Sequence, residues 1–213
     1  MNENIVLLEC ENFPCIAWYQ LFLKYENIQI EQFEYFVRKS FRNRTVIAGP
    51  NGLVTLSIPL KGGRNQKNSM KDIEVSYDEN WQAVHWKTIE SCYRRSPYFE
   101  YYAEEVKILF EKKHRFLMDY NLKCLQLVNQ LLQVKKEFVL TEKYDKTPLD
   151  NCIDARNIFE ENRSFELPNY MQVFQDRIGF KSNLSILDML FCEGKPLIEN
   201  LKSKALFSKT NLL

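Results

Sequence analysis

A turn signal between two extended segments constrains the fold of this chain most strongly. Residues 48–52 read A-G-P-N-G, and two glycines, a proline and an asparagine within five positions are typical of a turn. The following segment, 53–60, alternates apolar and polar residues and predicts a strand, which could pair with an extended segment at 41–47. We therefore expect a β-hairpin with a five-residue loop and an exit through Gly62 and Gly63.

Four basic residues lie within seven positions before this turn: Arg38, Lys39, Arg42 and Arg44. If 41–47 is extended, Arg42 and Arg44 share one face and Asn43 points to the other, because strand side chains alternate. A guanidinium matches phosphate or carboxylate bidentately, so the pair predicts a site for a diphosphate or a carboxylate-bearing sugar. The competing interpretation is of surface arginines paired with Glu31 and Glu34.

The remaining patterns predict an α/β protein. They predict further strands at 4–9, 28–32, 72–77 and 138–140, helices at 13–24, 81–94, 98–113, 116–134 and 184–191, and weak helix at 151–161. We expect one domain over residues 1–213, with a mixed β-sheet from the N-terminal half flanked by helices and a helical C-terminal half. Because ligands of open α/β sheets bind at the carboxyl ends of strands, we expect Glu9, Asn12, Glu31 and the Arg42/Arg44 pair near one crevice.

Composition excludes several classes of function. The net charge of +1 provides no global basic field, so no nucleic-acid partner is expected. Six scattered cysteines without C-x-x-C, and only two histidines, predict no metal site and favour reduced thiols in a cytoplasmic protein. No signal peptide and no membrane span are expected, since long apolar runs are lacking. Neither the P-loop motif G-x-x-x-x-G-K-[ST] nor the dinucleotide-binding motif G-x-G-x-x-G occurs in the sequence, so no cofactor is predicted.

Four sequence blocks resemble the WbqC-like protein family. They are F-R-N-R-x-x-I-x-G-P-N-G with L-S-I-P-L-K at 41–61, D-I-E-V-S-Y with W-x-x-x-H at 72–85, Y-R-R-S-P-Y-F at 93–99, and N-Y-M-Q with L-S-I-L-D-M-L-F-x-x-G at 169–194. The resemblance implies a bacterial cytoplasmic protein often encoded with O-antigen and other surface-polysaccharide genes, without implying a settled reaction. At the first strand-to-helix turn only Phe13 and Pro14 match the family pattern.

The resemblance also selects candidate catalytic residues. His85 occupies the W-x-x-x-H block and, with an unperturbed pKa near 6.5, could carry a proton, although its tryptophan neighbours suit a structural histidine equally. Glu31 precedes the basic stretch and is a second catalytic candidate, or an exposed edge residue. Cys10 lies between two acids and is expected to be buried and inert, and Asp188 is expected to be structural.

Substrate contacts are predicted for six residues: Arg42, Asn43, Arg44, Lys61, Tyr170 and Gln172. The resulting hypothesis is an enzyme of surface-polysaccharide biosynthesis, a transferase whose partner is a phosphorylated, nucleotide-linked or lipid-linked sugar. The alternative is a non-catalytic binding or scaffold protein of a glycan-synthesis complex, which the lack of a self-sufficient catalytic triad, metal set or cofactor loop favours.

Overall fold

The computed structural model describes residues 5–62, 68–148, 151–159, 163 and 165–203. Within them, residues 5–57 form four strands and one helix, and helices dominate the rest. The prediction of an α/β fold is confirmed. The predicted strand residue Asn4, the exit residue Gly63 and positions 160–161 lie outside the described residues.

A four-stranded parallel sheet forms one layer, in the order β5, β2, β1, β6. These strands are β1 (Ile5–Glu9), β2 (Asn27–Glu31), β5 (Val139–Leu140) and β6 (Cys152–Asp154). The register of β1 on β2 pairs Ile5 with Asn27 and Glu9 with Glu31. The carboxyl ends of both central strands therefore carry a glutamate side by side at the same edge of the sheet.

The predicted hairpin is present as a separate antiparallel pair, β3 (Arg44–Gly49) and β4 (Gly52–Ser57). Its loop is shorter than predicted, because Gly49 pairs with Gly52 across only Pro50 and Asn51. Gly52 has a φ of 138°, which glycine tolerates because it has no Cβ. The first strand begins at Arg44 rather than at residue 41, since 41–43 form a turn.

Helices pack around the two sheets and close the core. Their bounds are α1 (Ile16–Lys24), α2 (Trp81–Tyr93), α3 (Phe99–Glu111), α4 (Leu117–Leu132), α5 (Gln175–Ile178), α6 (Ile186–Glu193) and α7 (Leu197–Lys202). Aromatic rings join several of them, with Phe191 of α6 5.3 Å from Tyr93 and 5.1 Å from Phe99. Such ring pairs stabilise a core beyond their burial of apolar area.

Two predicted segments and the single mixed sheet are corrected by the structure. Residues 152–154, predicted as weak helix, form β6 and pair in parallel with β1. The predicted strand at 72–77 is instead a short 3-10 turn at Met70–Asp72 followed by isolated bridges that involve Glu74 and Val75. The expected mixed sheet is two sheets, one parallel and one antiparallel, and β5 and β6 of the parallel sheet lie beyond the N-terminal half.

Candidate functional site

Three of the four parallel strands end in an acidic residue at the carboxyl edge of the sheet. Glu9 ends β1, Glu31 ends β2 and Asp154 ends β6. Glu9 and Glu31 are almost fully buried, and each is paired with an arginine. A buried carboxylate requires such a partner, because an isolated charge in a low dielectric is costly.

Arg42 is the arginine of the first pair, and none of its surface is exposed. Its Nε and Nη2 donate to the two carboxylate oxygens of Glu34, both at 2.8 Å. Nη2 also donates to Glu9 Oε2 at 3.4 Å and to Asn157 Oδ1 at 2.9 Å. The Asn157 backbone N–H donates to the same Glu9 oxygen. One guanidinium thus joins residues from β1, from the loop after β2 and from the turn after β6.

A buried amide network holds Arg42 in position. Asn121 on α4 donates to the Arg42 carbonyl at 2.7 Å and to the Cys10 carbonyl at 3.2 Å. Asn12 donates to Asn121 Oδ1 at 3.2 Å and accepts from the Thr45 hydroxyl. The exit of β1, the start of β3 and α4 are therefore tied together beneath the ion pair.

Glu9 and Glu11 form a pair of neighbouring buried carboxyl groups. Burial raises the pKa of Glu9, and the Arg42 guanidinium and the Asn157 N–H oppose part of that rise. Burial and the charge of Glu9 raise the pKa of Glu11 well above its usual range. Glu11 accepts a hydrogen bond from the Cys15 N–H at the start of α1.

The second ion pair joins Glu31, at the end of β2, to Arg156, which follows β6. Arg156 donates through Nη1 to Glu31 Oε2 at 3.1 Å and through Nε and Nη2 to the Asp154 carboxylate at 2.8 and 2.6 Å. Glu31 Oε1 also accepts from the Phe33 N–H and the Thr141 hydroxyl. Glu31 is thus held by three donors and is not itself exposed.

A pocket of about 290 Å³ opens beside the first ion pair and is here called the anion pocket. It is lined by Glu9, Val37, Arg38, Lys39, Ser40, Phe41, Arg42, Arg44, Asn157 and Phe159. Four of these residues are cationic and one is a carboxylate. Because Glu9 and Glu34 neutralise Arg42, the positive charge that suits an anion comes from Arg38, Lys39 and Arg44. Lys39 and Asn157 adopt φ values of 56° and 61°, a backbone conformation that is rare for residues other than glycine and that clusters at ligand sites.

The two arginines that were predicted to act as a pair lie at one pocket, but their burial and contacts differ. Both line the anion pocket, with Arg44 half-buried on its wall. The guanidinium of Arg42 does not form a surface fork with Arg44, because Glu34, Glu9 and Asn157 already accept its hydrogen bonds. The competing prediction of surface pairs with Glu31 and Glu34 is right only for Glu34, and that pair is buried; the partner of Glu31 is Arg156.

His85 lies within the helical core rather than on the anion pocket's lining. Its ring centroid is 5.0 Å from that of Trp81 in an edge arrangement, and only 8% of its surface is exposed. Burial lowers the pKa of His85 to about 4, although a hydrogen bond with the Ser57 backbone opposes this. The imidazole is therefore neutral at physiological pH, and the structure does not bring it together with Glu31.

The other predicted substrate contacts lie apart from the anion pocket. Lys61 is exposed and pairs with Glu74 at 3.0 Å. Asn43 donates to the Ile58 carbonyl within the hairpin. Tyr170 donates to Asp188 Oδ2 at 2.5 Å, and Gln172 donates to the Tyr170 hydroxyl at 2.9 Å, so both belong to a buried network around α6. Their roles as substrate contacts remain predictions.

The structure agrees with the expectation that two residues have no catalytic role. Cys10 is buried, and burial raises the pKa of its thiol, which disfavours the reactive thiolate. Asp188 is fully buried and accepts hydrogen bonds from Tyr93 and Tyr170, a structural arrangement. Of the candidate site's residues, Asn157 and Phe159 were not selected by sequence and no local pattern marks them, whereas Glu34 was named only as a structural partner of the arginines.

The fold and the pocket define a class of protein: an α/β protein with a pocket lined by cationic residues at the carboxyl edge of a parallel sheet. The model of the WbqC-like protein family matches residues 10–164, most of the chain, and the chain belongs to this family. No curated protein and no solved structure matches it. In the described ranges no helix has the length and apolar character needed to cross a membrane.

Proposed function

We propose that this protein is a transferase of surface-polysaccharide biosynthesis that acts on a phosphorylated or nucleotide-linked sugar. The observation that carries the proposal is the anion pocket, whose lining holds Arg38, Lys39 and Arg44 together with the buried Glu9–Arg42 ion pair at the carboxyl edge of the sheet. The polysaccharide context comes from the resemblance to the family, whose members are often encoded with such genes. Cytoplasmic location is part of the same proposal.

In this proposal, some residues of the pocket bind the substrate and another accepts its proton. Arg44, with Arg38 and Lys39, binds the phosphate or carboxylate of the donor, because guanidinium and ammonium groups stabilise concentrated negative charge. The rings of Phe41 and Phe159 contact the apolar face of the sugar or base.

Glu9 accepts the proton that the attacking hydroxyl or amine must lose. Its raised pKa and its place on the pocket lining suit that role better than His85, which does not line the pocket and whose pKa is lowered to about 4, making it a weak base. Arg42 orients the Glu9 carboxylate and keeps a counter-charge beside it. In this proposal Glu31 is not catalytic, and its carboxylate positions Arg156 instead.

Thermal unfolding with a panel of nucleotide sugars and sugar 1-phosphates tests this proposal. A ligand at about one hundred times its dissociation constant adds about 2.7 kcal/mol of stability, which raises the melting temperature of a chain of this size by roughly 5–10 °C. We expect Arg44→Ala to abolish the shift. Arg115→Ala is the matched control, because Arg115 is an exposed arginine paired with Glu74 outside the pocket.

The outcomes separate the pocket from diffuse charge. An unchanged melting temperature with every probe would remove this substrate class. An equal loss of the shift in both variants would show that net positive charge, not the pocket, binds the anion. If Lys61→Ala abolishes the shift while Arg44→Ala does not, the predicted contact at Lys61 is correct and the pocket is misassigned.

The non-catalytic alternative draws on one feature of the surface. A groove between the hairpin turn and α2 is lined by Pro50, Leu53, Val54 and Val84 among others, and Leu53 and Val84 are more than half exposed. Exposed apolar surface of this kind is typical of protein interfaces. A stoichiometric partner that co-purifies from the native cell, without binding of any sugar phosphate, would favour a scaffold role.

A further inference from the structure

A second, larger cavity of about 580 Å³ lies on the parallel sheet itself and is here called the sheet pocket. All four strands contribute to it, and the chain after β5, from Thr141 to Pro148, forms its rim. Leu7 and Ile5 of β1 form part of an apolar floor, beside Gln29 and Glu31 of β2. Clefts of this size with an apolar floor and a few polar groups are typical of small-molecule sites.

The sheet pocket has the opposite charge to the anion pocket. Its lining contains three carboxylates, Glu31, Glu142 and Asp145, and one ammonium group, Lys143. Because Arg156 already neutralises Glu31, the negative charge that a ligand meets is on the rim, at Glu142 and Asp145. Such a cavity disfavours a second phosphate and favours a ligand that carries a positive charge.

The two pockets lie side by side at the edge of the sheet. Glu9 lines the anion pocket, Glu31 lines the sheet pocket, and the two residues are register partners on adjacent strands. The turn after β6 contacts both, since Asn157 donates to Glu9 and Arg156 donates to Glu31. An open α/β sheet binds its ligands at this edge, and two adjacent pockets suit two substrates.

We propose that the sheet pocket binds a hydroxylated molecule that bears an amine, of the amino-sugar class. The apolar floor contacts the C–H face of the sugar ring, Gln29 binds its hydroxyls, and the rim carboxylates attract the ammonium group. The Thr141 hydroxyl donates its proton to Glu31, so it can only accept from a ligand hydroxyl. Nothing in this binding depends on catalysis.

The role of this ligand as acceptor rests on the proposed function. In that role the ammonium group first loses one proton to solvent, and the resulting free amine nitrogen bonds to the transferred group while the bond from that group to the donor phosphate breaks. The electron pair leaves with the phosphate, and the proton that the nitrogen releases passes to Glu9. The net reaction needs no oxidant, reductant or further co-reactant.

Titration of the full chain with glucosamine, N-acetylglucosamine and glucose at neutral pH tests the binding directly. We expect glucosamine to bind about fivefold more tightly than the two uncharged sugars, the amount that a partly exposed charge pair contributes. The double variant Glu142→Gln and Asp145→Asn should remove this preference. Asn at 145 can still accept the Thr147 N–H that Asp145 accepts, so the local turn is retained.

Two controls separate this inference from the proposed function. Glu104→Gln removes an exposed carboxylate on α3 and should leave the preference intact. Arg44→Ala alters the anion pocket and should leave glucosamine binding unchanged. Equal affinity for glucose and glucosamine, no binding of any of the three sugars, or a preference that survives the double variant would overturn the inference. Glucosamine binding without any nucleotide-sugar binding would instead retain the sheet pocket and overturn the transferase.

Discussion

At the scale of single residues, the side chains of the candidate site divide into those that bind and those that hold the binders. Arg42 belongs to the second group, because its guanidinium donates to Glu34, Glu9 and Asn157. Arg44, two positions later, lies on the pocket wall and is half-buried. Sequence spacing makes the two arginines look equivalent, and only the start of β3 at Arg44 separates their roles.

His85 carries the residue-scale prediction. Its pKa is about 4 in the folded protein and about 6.5 when unfolded, so the unfolded state binds the proton first as pH falls. Stability contributed by neutral His85 is fully present above pH 6.5 and is lost as pH falls toward 4. A pKa difference of this size corresponds to roughly 3 kcal/mol.

We expect His85→Gln to cost about 1–2 kcal/mol at pH 7.5, because the ring packs on Trp81 and hydrogen-bonds the Ser57 backbone. The same substitution should cost less, or stabilise, at pH 4.5. Urea unfolding of both proteins at the two pH values measures this. A deficit that does not change with pH would contradict it, and normal stability with lost turnover would restore the catalytic prediction.

The sequence predicted several residues of the candidate site, but it did not predict which of them are buried or what they contact. The basic stretch pointed to Arg42 and Arg44, and the strand end pointed to Glu9 and Glu31. Burial of Arg42 depends on Asn157, which is 115 positions away in the chain. No local pattern contains that contact, because it forms only when the turn after β6 reaches the end of β1.

At the scale of elements, a buried carboxylate joins the hairpin to three other segments. Asp188 on α6 accepts from Tyr93 of α2 at 2.6 Å and from Tyr170 at 2.5 Å. The Tyr93 hydroxyl in turn accepts from the Ala48 N–H of β3 at 3.2 Å. Burial raises the pKa of Asp188, and the two tyrosine hydroxyls oppose this by stabilising the ionised form.

We expect Asp188→Ala to destabilise the protein by about 3 kcal/mol, since it leaves two buried hydroxyl groups without their acceptor. The change should appear in the free energy of unfolding measured with urea. Asp119→Ala is the control, because Asp119 is exposed in the first turn of α4 and should cost less than about 1 kcal/mol. Equal losses in the two variants would show that the network adds nothing to stability.

Long helices were predictable and short strands were not. The apolar stripes of α2, α3 and α4 are long enough to show their period, and Gly194 ends α6 as predicted. Strand β6 has only three residues and pairs with β1, about 150 positions earlier in the chain, so its sequence shows neither period nor partner. The hairpin was predictable because its turn residues restrict the backbone locally.

At the scale of the whole molecule, the parallel sheet brings two pockets of opposite charge to one edge. The alternation of strands and helices predicted the α/β class and a ligand site at the carboxyl ends of the strands. It could not show that two cavities open near that edge, because the sheet pocket requires β5 and β6, which come from the second half of the chain.

A crystal structure of the protein with inorganic pyrophosphate is the most direct measurement of the central claim. The account predicts the anion in the anion pocket, within hydrogen-bond distance of Arg44 and Lys39, with Arg42 still bound to Glu9 and Glu34. Phosphate density in the sheet pocket, or beside Lys61 with the anion pocket empty at saturating pyrophosphate, would contradict it.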